Sequence, residues 1–120
     1  MGKDMTTSIH RGAAAEACAA NYLIARGLHI LARNFRCRLG EIDLIAQEGD
    51  CLVFVEVRAR QGSHFGGAGA SITPAKQRRL LATAGYYLAG LPHQPHCRFD
   101  AVLIEGEHIE WLQSAFDAGL

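Results

Sequence analysis

Residues 40 to 60, GEIDLIAQEGDCLVFVEVRAR, constrain what this chain can fold into more than any other stretch. Ile, Leu, Val and Phe dominate two arms, Glu41 to Gln47 and Cys51 to Arg58, with Glu48-Gly49-Asp50 between them, which is the pattern of a β-hairpin. A two-residue loop centred on Gly49-Asp50, the glycine supplying the positive φ of a type II′ turn, pairs Glu48 with Cys51 and Leu44 with Val55. The same register sets Asp43 opposite Glu56.

On that register Ile42, Leu44 and Ala46 share a face with Val57, Val55 and Val53, an apolar surface that belongs in a core. The other face carries Glu41, Asp43, Ile45 and Gln47 against Arg58, Glu56, Phe54 and Leu52, so its charges gather away from the turn. Directly opposed residues have Cβ atoms about 4.5–5.5 Å apart, and like charges there repel. A hard divalent cation would offset the repulsion, since Mg²⁺ is commonly held by one or two carboxylates with water and phosphate oxygens completing its shell. A solvated polar face, with Glu41 and Arg58 as a surface ion pair, accounts for the same spacing. A three-residue loop would separate the two acids onto opposite faces.

At 120 residues the chain has the length of one domain. No apolar run approaches the roughly 20 residues of a membrane span, and MGKDMTTSIHR lacks the apolar region of a signal peptide, so a cytoplasmic protein is expected. Cys18, Cys37, Cys51 and Cys97 include no C-x-x-C and read as free thiols, Cys18 and Cys51 as small core residues. His93, His96 and Cys97 fall in the proline-punctuated LPHQPHC, which reads as a loop. The formal net charge of zero excludes a global basic field, although Arg33, Arg36 and Arg38, then Arg58 and Arg60, then Lys76, Arg78 and Arg79 cluster locally.

Taken in order, residues 1–7 are expected to be disordered, residues 8–116 to form a single domain and residues 117–120 a tail. Ser8 to Arg26, Ala-rich, reads as a helix capped by Ser8 and stopped by Gly27, with Glu16 its lone acid. Glu16 is either a solubilising surface acid or a third carboxylate directed at the hairpin. Leu28 to Phe35 reads as a strand with Ile30 and Leu31 buried and a bulge near Asn34. Gln61 to Ile72, rich in glycine, reads as a surface loop able to close over a substrate. Thr73 caps a second helix running to about Leu88, with Pro74 in its first position; Lys76, Gln77 and Arg79 near its start favour an anionic ligand or are simply solvated. Arg98 to Ile104 and His108 to Leu112 are strands joined by a turn at Glu105-Gly106-Glu107. The order α-β-β-β-α-β-β implies an α/β fold with a mixed sheet of about five strands.

Asp43, a twelve-residue gap, then Glu56-Val57-Arg58 resembles the D…ExK core of the PD-(D/E)XK nuclease superfamily, and Gly12-x-x-x-Glu16 resembles the acidic helix motif of its resolvase-like branch. RNFRCRLGEIDLIA, LVFVEVRAR, FGGAGASITPAKQRRL and RFDAV, in that order, are similar to the YraN family of small bacterial proteins with a restriction-endonuclease-like fold. The resemblance implies that Glu16, Asp43 and Glu56 are metal-binding acids, joined by the main-chain carbonyl of Val57, with Mg²⁺ or Mn²⁺ as cofactor. It further implies Arg58 as a catalytic residue, in the position where the superfamily has Lys. Arg cannot act as a base, yet its planar fork can hold a phosphate oxygen. DNA is the partner so implied, contacted by Arg33, Arg36, Arg38, Arg60, Lys76, Gln77 and Arg79, with a homodimer as one arrangement and neither a membrane nor an organic cofactor expected. Three function classes follow: a metal-dependent endonuclease acting on branched or repair-intermediate DNA, a catalytically weak nucleic-acid-binding protein with that fold serving a repair or recombination partner, and a scaffold whose acids form surface ion pairs.

Overall fold

The hairpin is present in the register set by the Gly49-Asp50 loop. A computed structural model describes residues 2–60 and 72–116, with side chains from 12 to 59 and from 72 to 116. Strands β2 (Gly40–Glu48) and β3 (Cys51–Arg60) pair antiparallel from Glu48 with Cys51 to Leu44 with Val55. Gly49 has φ +58 while Asp50 is not among the residues of positive φ, as a type II′ turn requires. The Gly-rich loop expected over 61–72 falls, apart from Ile72, outside the described residues, as does the tail.

Around the hairpin, β1 (His29–Cys37), β4 (His96–Glu105) and β5 (His108–Phe116) complete a five-stranded sheet in the order β1-β2-β3-β4-β5. Only β3 and β4 run parallel, because helix α2 (Pro74–Ala89) carries the chain from one to the other; the remaining neighbours are antiparallel. The expected element order and mixed sheet are therefore those of the protein.

Alternation along β2 and β3 splits the interior into two layers. Leu44, Ala46, Val53 and Val55 pack with Ala19, Ala20 and Leu23 of α1 (Gly2–Ala25), whose small side chains let it lie close to the sheet. Ile45, Leu52 and Phe54 face the other way, onto Leu80, Ala84 and Leu88 of α2. Helices thus cover opposite faces, which is why β3 is apolar on both sides.

Local signals explain the helix ends. Gly27 at φ +97 closes α1: its N–H donates to Ile24 O and that of Leu28 to Leu23 O, a Schellman arrangement with Leu23 and Leu28 sharing the α1 cluster. Thr73 caps α2, its hydroxyl accepting from the Lys76 N–H at 3.1 Å.

Several expectations change, and one is that His96 and Cys97, read as loop, begin β4 and pair with Cys51 and Leu52 of β3. The α1 backbone is helical from Gly2, so Ser8 lies inside the helix and residues 2–7 belong to it; no Pro interrupts the stretch, and helix propagates readily once the Ala-rich turns have nucleated. Ile42 leaves the face of Leu44 and Ala46 and joins Phe35 in the α2 layer, beside Asn34 at φ +53 on β1. Leu31 is 46% exposed, because the β1–β2 register shifts between Ile30 and Ala32. Cys18 is exposed rather than a core residue, since α1 turns Ala19 and Ala20 inward instead.

Candidate functional site

The alternation that fills the two layers delivers charge where it runs out. Past Leu44 and Val55 the regular β2–β3 pairing ends, and the next link is made by a side chain: Asp43 Oδ2 accepts the Val57 N–H at 2.8 Å. The N–H and C=O of one strand residue point to the same neighbour, so the Val57 carbonyl faces the same opening.

Glu56 is one residue back on β3, on the α2 face by alternation with Phe54, and is 7% exposed. Its Oε2 is approached by Arg58 Nε at 3.4 Å and by the Lys76 ammonium from the first turn of α2. A carboxylate this buried requires such partners. Arg58 therefore pairs with Glu56, and Glu41 pairs instead with Arg36 at 3.3 Å on the surface.

Among the described residues no ion pair to a cation is formed by Asp43. Burial pushes its carboxyl up to about 7, and the charge of Glu56 adds to the effect. The Val57 hydrogen bond opposes the rise, while the charge of Glu16 and a hydrogen bond to Glu56 reinforce it. Glu16 is half-buried on α1 and acts on Asp43 from the opposite face to Lys76. The site is a pair of adjacent carboxylates, one neutralised by Lys76 and Arg58 and the other tending to keep its proton, with a third acid felt across the opening.

Among the described residues no three His, Cys, Asp or Glu side chains gather closely enough to form a ready metal cage. Two adjacent carboxylates and a main-chain carbonyl nevertheless match the donor chemistry of a hexahydrate-derived Mg²⁺ or Mn²⁺ site, in which one or two protein carboxylates suffice. Such an ion would meet the Lys76 ammonium at Glu56 Oε2.

The other residues expected at nucleic acid are distributed around this end of the sheet. Arg33 lies opposite Leu44 and Arg36 opposite Glu41 on the adjoining strand, both exposed, and Arg38 is exposed in the turn that follows. Arg60 ends β3, with its side chain outside the described residues. Gln77 donates to Ile72 O at 3.0 Å, closing the entry to α2, and Arg79 is exposed. Lys76 stands apart from this set because its ammonium faces Glu56.

A second buried charge was not evident from sequence. Asp100, 1% exposed, accepts from Arg98 Nε at 3.0 Å, Trp111 Nε1 at 2.9 Å and Ser114 N at 2.9 Å, and Arg98 Nη1 reaches Glu48 Oε1 at 2.8 Å. It sits where the β4–β5 register shifts and Ser114 takes φ +51. The fully engaged carboxylate ties β5 to β4, Arg98 carries the network on to Glu48 at the end of β2, and the whole is structural in character. The alternation of RFDAVLI placed Asp100 on a face, but two of its three partners, Trp111 and Ser114, come from the neighbouring strand β5.

Comparison with known proteins bears on this geometry. The model of the uncharacterised protein family UPF0102 matches residues 15–104, from the residue before Glu16 through most of β4. A UPF0102 protein of Nitrosomonas europaea is 54% identical over 116 residues, covering 94% of this chain and 98% of its own length. One from Cupriavidus taiwanensis is 57% identical over 109 residues, covering 90% and 83%, and one from Nitrosomonas eutropha 53% identical over 116, covering 96% and 100%.

Proposed function

This chain belongs to the uncharacterised protein family UPF0102, and we propose that it is a divalent-metal-dependent DNA endonuclease, hydrolysing phosphodiester bonds in branched or repair-intermediate DNA. The observation that carries this reading is the placement of Asp43 beside Glu56 at the open end of the hairpin, with the Asp43 carboxyl pushed up to about 7. Adjacent acids that cannot both ionise comfortably are a recurring feature of functional sites.

Asp43 is held by the Val57 N–H, so its second oxygen is free of that bond and directed by it. Glu56 is oriented between Arg58 and Lys76. Mg²⁺ or Mn²⁺ bound by Asp43, Glu56 and the Val57 carbonyl, with Glu16 nearby, would lower the pKa of a water ligand and neutralise charge on the scissile phosphate. Arg58, always charged, would hold a phosphate oxygen as negative charge develops there, without taking a proton. Arg33, Arg36, Arg38, Arg60 and Arg79 would contact flanking phosphates, which position a duplex without reading its sequence.

A second reading, a nucleic-acid-binding protein with little or no hydrolytic activity, is favoured by one observation. Lys76 and Arg58 are both directed to Glu56 and neutralise its charge. Incubation of single-stranded, duplex, flap and four-way-junction DNA with Mg²⁺ or Mn²⁺ separates the two. Cleavage by the natural protein and none by Asp43→Asn supports the nuclease. Binding without cleavage on every substrate supports the second reading.

A further inference from the structure

We propose that Lys76 is a placeholder cation: it occupies Glu56 until a divalent ion arrives, and its release to a phosphate group couples metal binding to nucleic-acid binding. The inference rests on the metal-site reading above and adds a residue and a linkage to it.

Lys76 sits where helix electrostatics disfavour it. It occupies the first turn of α2, which contains no acidic residue, and a cation there opposes the positive end of the helix dipole. Its Nζ is nevertheless directed to Glu56 Oε2, a carboxylate that needs a counter-charge because it is 7% exposed. The contact is built to be exchangeable. The Lys76 side chain is 32% exposed, opens to solvent and swings on a flexible four-carbon stem, whereas Arg58 is 25% exposed and approaches the same oxygen from β3 itself. When Lys76 leaves, Arg58 stays with Glu56, so the buried charge is not stranded during the exchange.

A divalent ion brought to Asp43 and Glu56 and the Lys76 ammonium compete for Oε2. Whatever draws Lys76 away strengthens metal binding, and metal binding frees Lys76. A phosphate oxygen is the natural receiver, since the released ammonium remains in the first turn of α2, where backbone N–H groups also favour an anion. Thermodynamic linkage makes the effect reciprocal: the factor by which DNA tightens the metal is the factor by which the metal tightens DNA, commonly about 5- to 150-fold.

The test is calorimetric titration of Mn²⁺ alone into the full chain, comparing the natural protein with Lys76→Met, Lys76→Arg and Asp43→Asn. Lys76→Met removes the competitor while keeping its length and is expected to bind Mn²⁺ roughly 5-fold or more tightly than the natural protein. Lys76→Arg, which keeps a cation at Glu56, should stay close to the natural value. Equal affinity in the natural protein and Lys76→Met overturns the placeholder role while leaving the metal site standing. Absence of Mn²⁺ binding in every form overturns the metal-site reading itself. Should Lys76→Met not fold, the natural protein still decides the matter. With ¹⁵N-labelled lysine, the Lys76 ammonium resonance should lose its protection from solvent exchange on saturation with Mg²⁺, and an unchanged resonance refutes the exchange.

Discussion

Asp43 Oδ2 takes the Val57 N–H at 2.8 Å, so a side chain continues the link between two strands after their regular main-chain pairing has ended. The carboxylate thereby serves the sheet and the site at once. Asp43→Asn keeps an acceptor for Val57, while Asp43→Ala orphans a partly buried N–H and is expected to cost about 1–3 kcal/mol. Urea unfolding of both variants checks this. Equal stability of Asn and Ala would show that the hydrogen bond contributes nothing.

The Asp43 carboxyl also predicts a pH dependence. Its folded pKa is raised from 3.8 to about 7, so as pH climbs through that window the unfolded chain gives up the proton while the folded chain holds it. Rising pH therefore favours unfolding until about 7, above which the penalty is complete. Glu16 from α1 and Glu56 from β3 oppose ionisation, while Arg58 and Lys76 sit on Glu56. Asp43→Asn should gain on the natural protein by about 1–3 kcal/mol between acidic and mildly alkaline pH. Parallel stability curves across that range would contradict the assignment.

Glu56 should respond with the opposite sign. Glu56→Gln leaves the Lys76 and Arg58 cations facing a neutral amide and is expected to destabilise the protein by about 2–4 kcal/mol near neutral pH. Thermal denaturation of the two amide variants side by side is decisive, because a generic surface-charge effect would move both in one direction.

Gly40 opens β2 at φ +152, and a Cβ there would come within 2.8 Å of Thr83 Oγ1 on α2. Gly40→Ala should cost about 1–3 kcal/mol through backbone strain and displacement of α2. Adding Thr83→Ala should recover only the steric part. Full recovery would place the whole cost in the contact.

The Asp100 network offers a separate probe, since Trp111 is the chain's single tryptophan. Asp100→Ala leaves the Arg98 charge with Glu48 alone and frees the Trp111 N–H and Ser114 N–H, an expected loss of about 3–5 kcal/mol. Urea melts followed by Trp111 fluorescence measure it. A loss below about 1 kcal/mol would mean that water replaces the carboxylate without penalty.

How much of this was legible in the sequence depends on the range of the interaction. The hairpin register followed from Gly49-Asp50 and the apolar arms, and the caps at Thr73 and Gly27 followed from local chemistry, because each is decided within a few residues. The proximity of Asp43 to Glu56 came from the same register. Lys76 could be placed at the start of α2 but not against Glu56, since that contact depends on which sheet face the β3-α2-β4 crossover covers. Ile42 and Leu31 broke their alternations at irregularities of β1 that a regular period does not register. The α1 start was missed because Ser8 resembles a cap whether or not the helix continues behind it.

The two helices lie on opposite faces of one sheet, and that separation has an electrical result. The acid that α1 contributes and the ammonium that α2 contributes cannot quench each other through the apolar partition between them. They communicate at the rim where β2 and β3 part, through Asp43 and Glu56. The balance of charge at that rim can therefore be adjusted from either layer independently, by altering Glu16 or Lys76, without disturbing the packing on the far side.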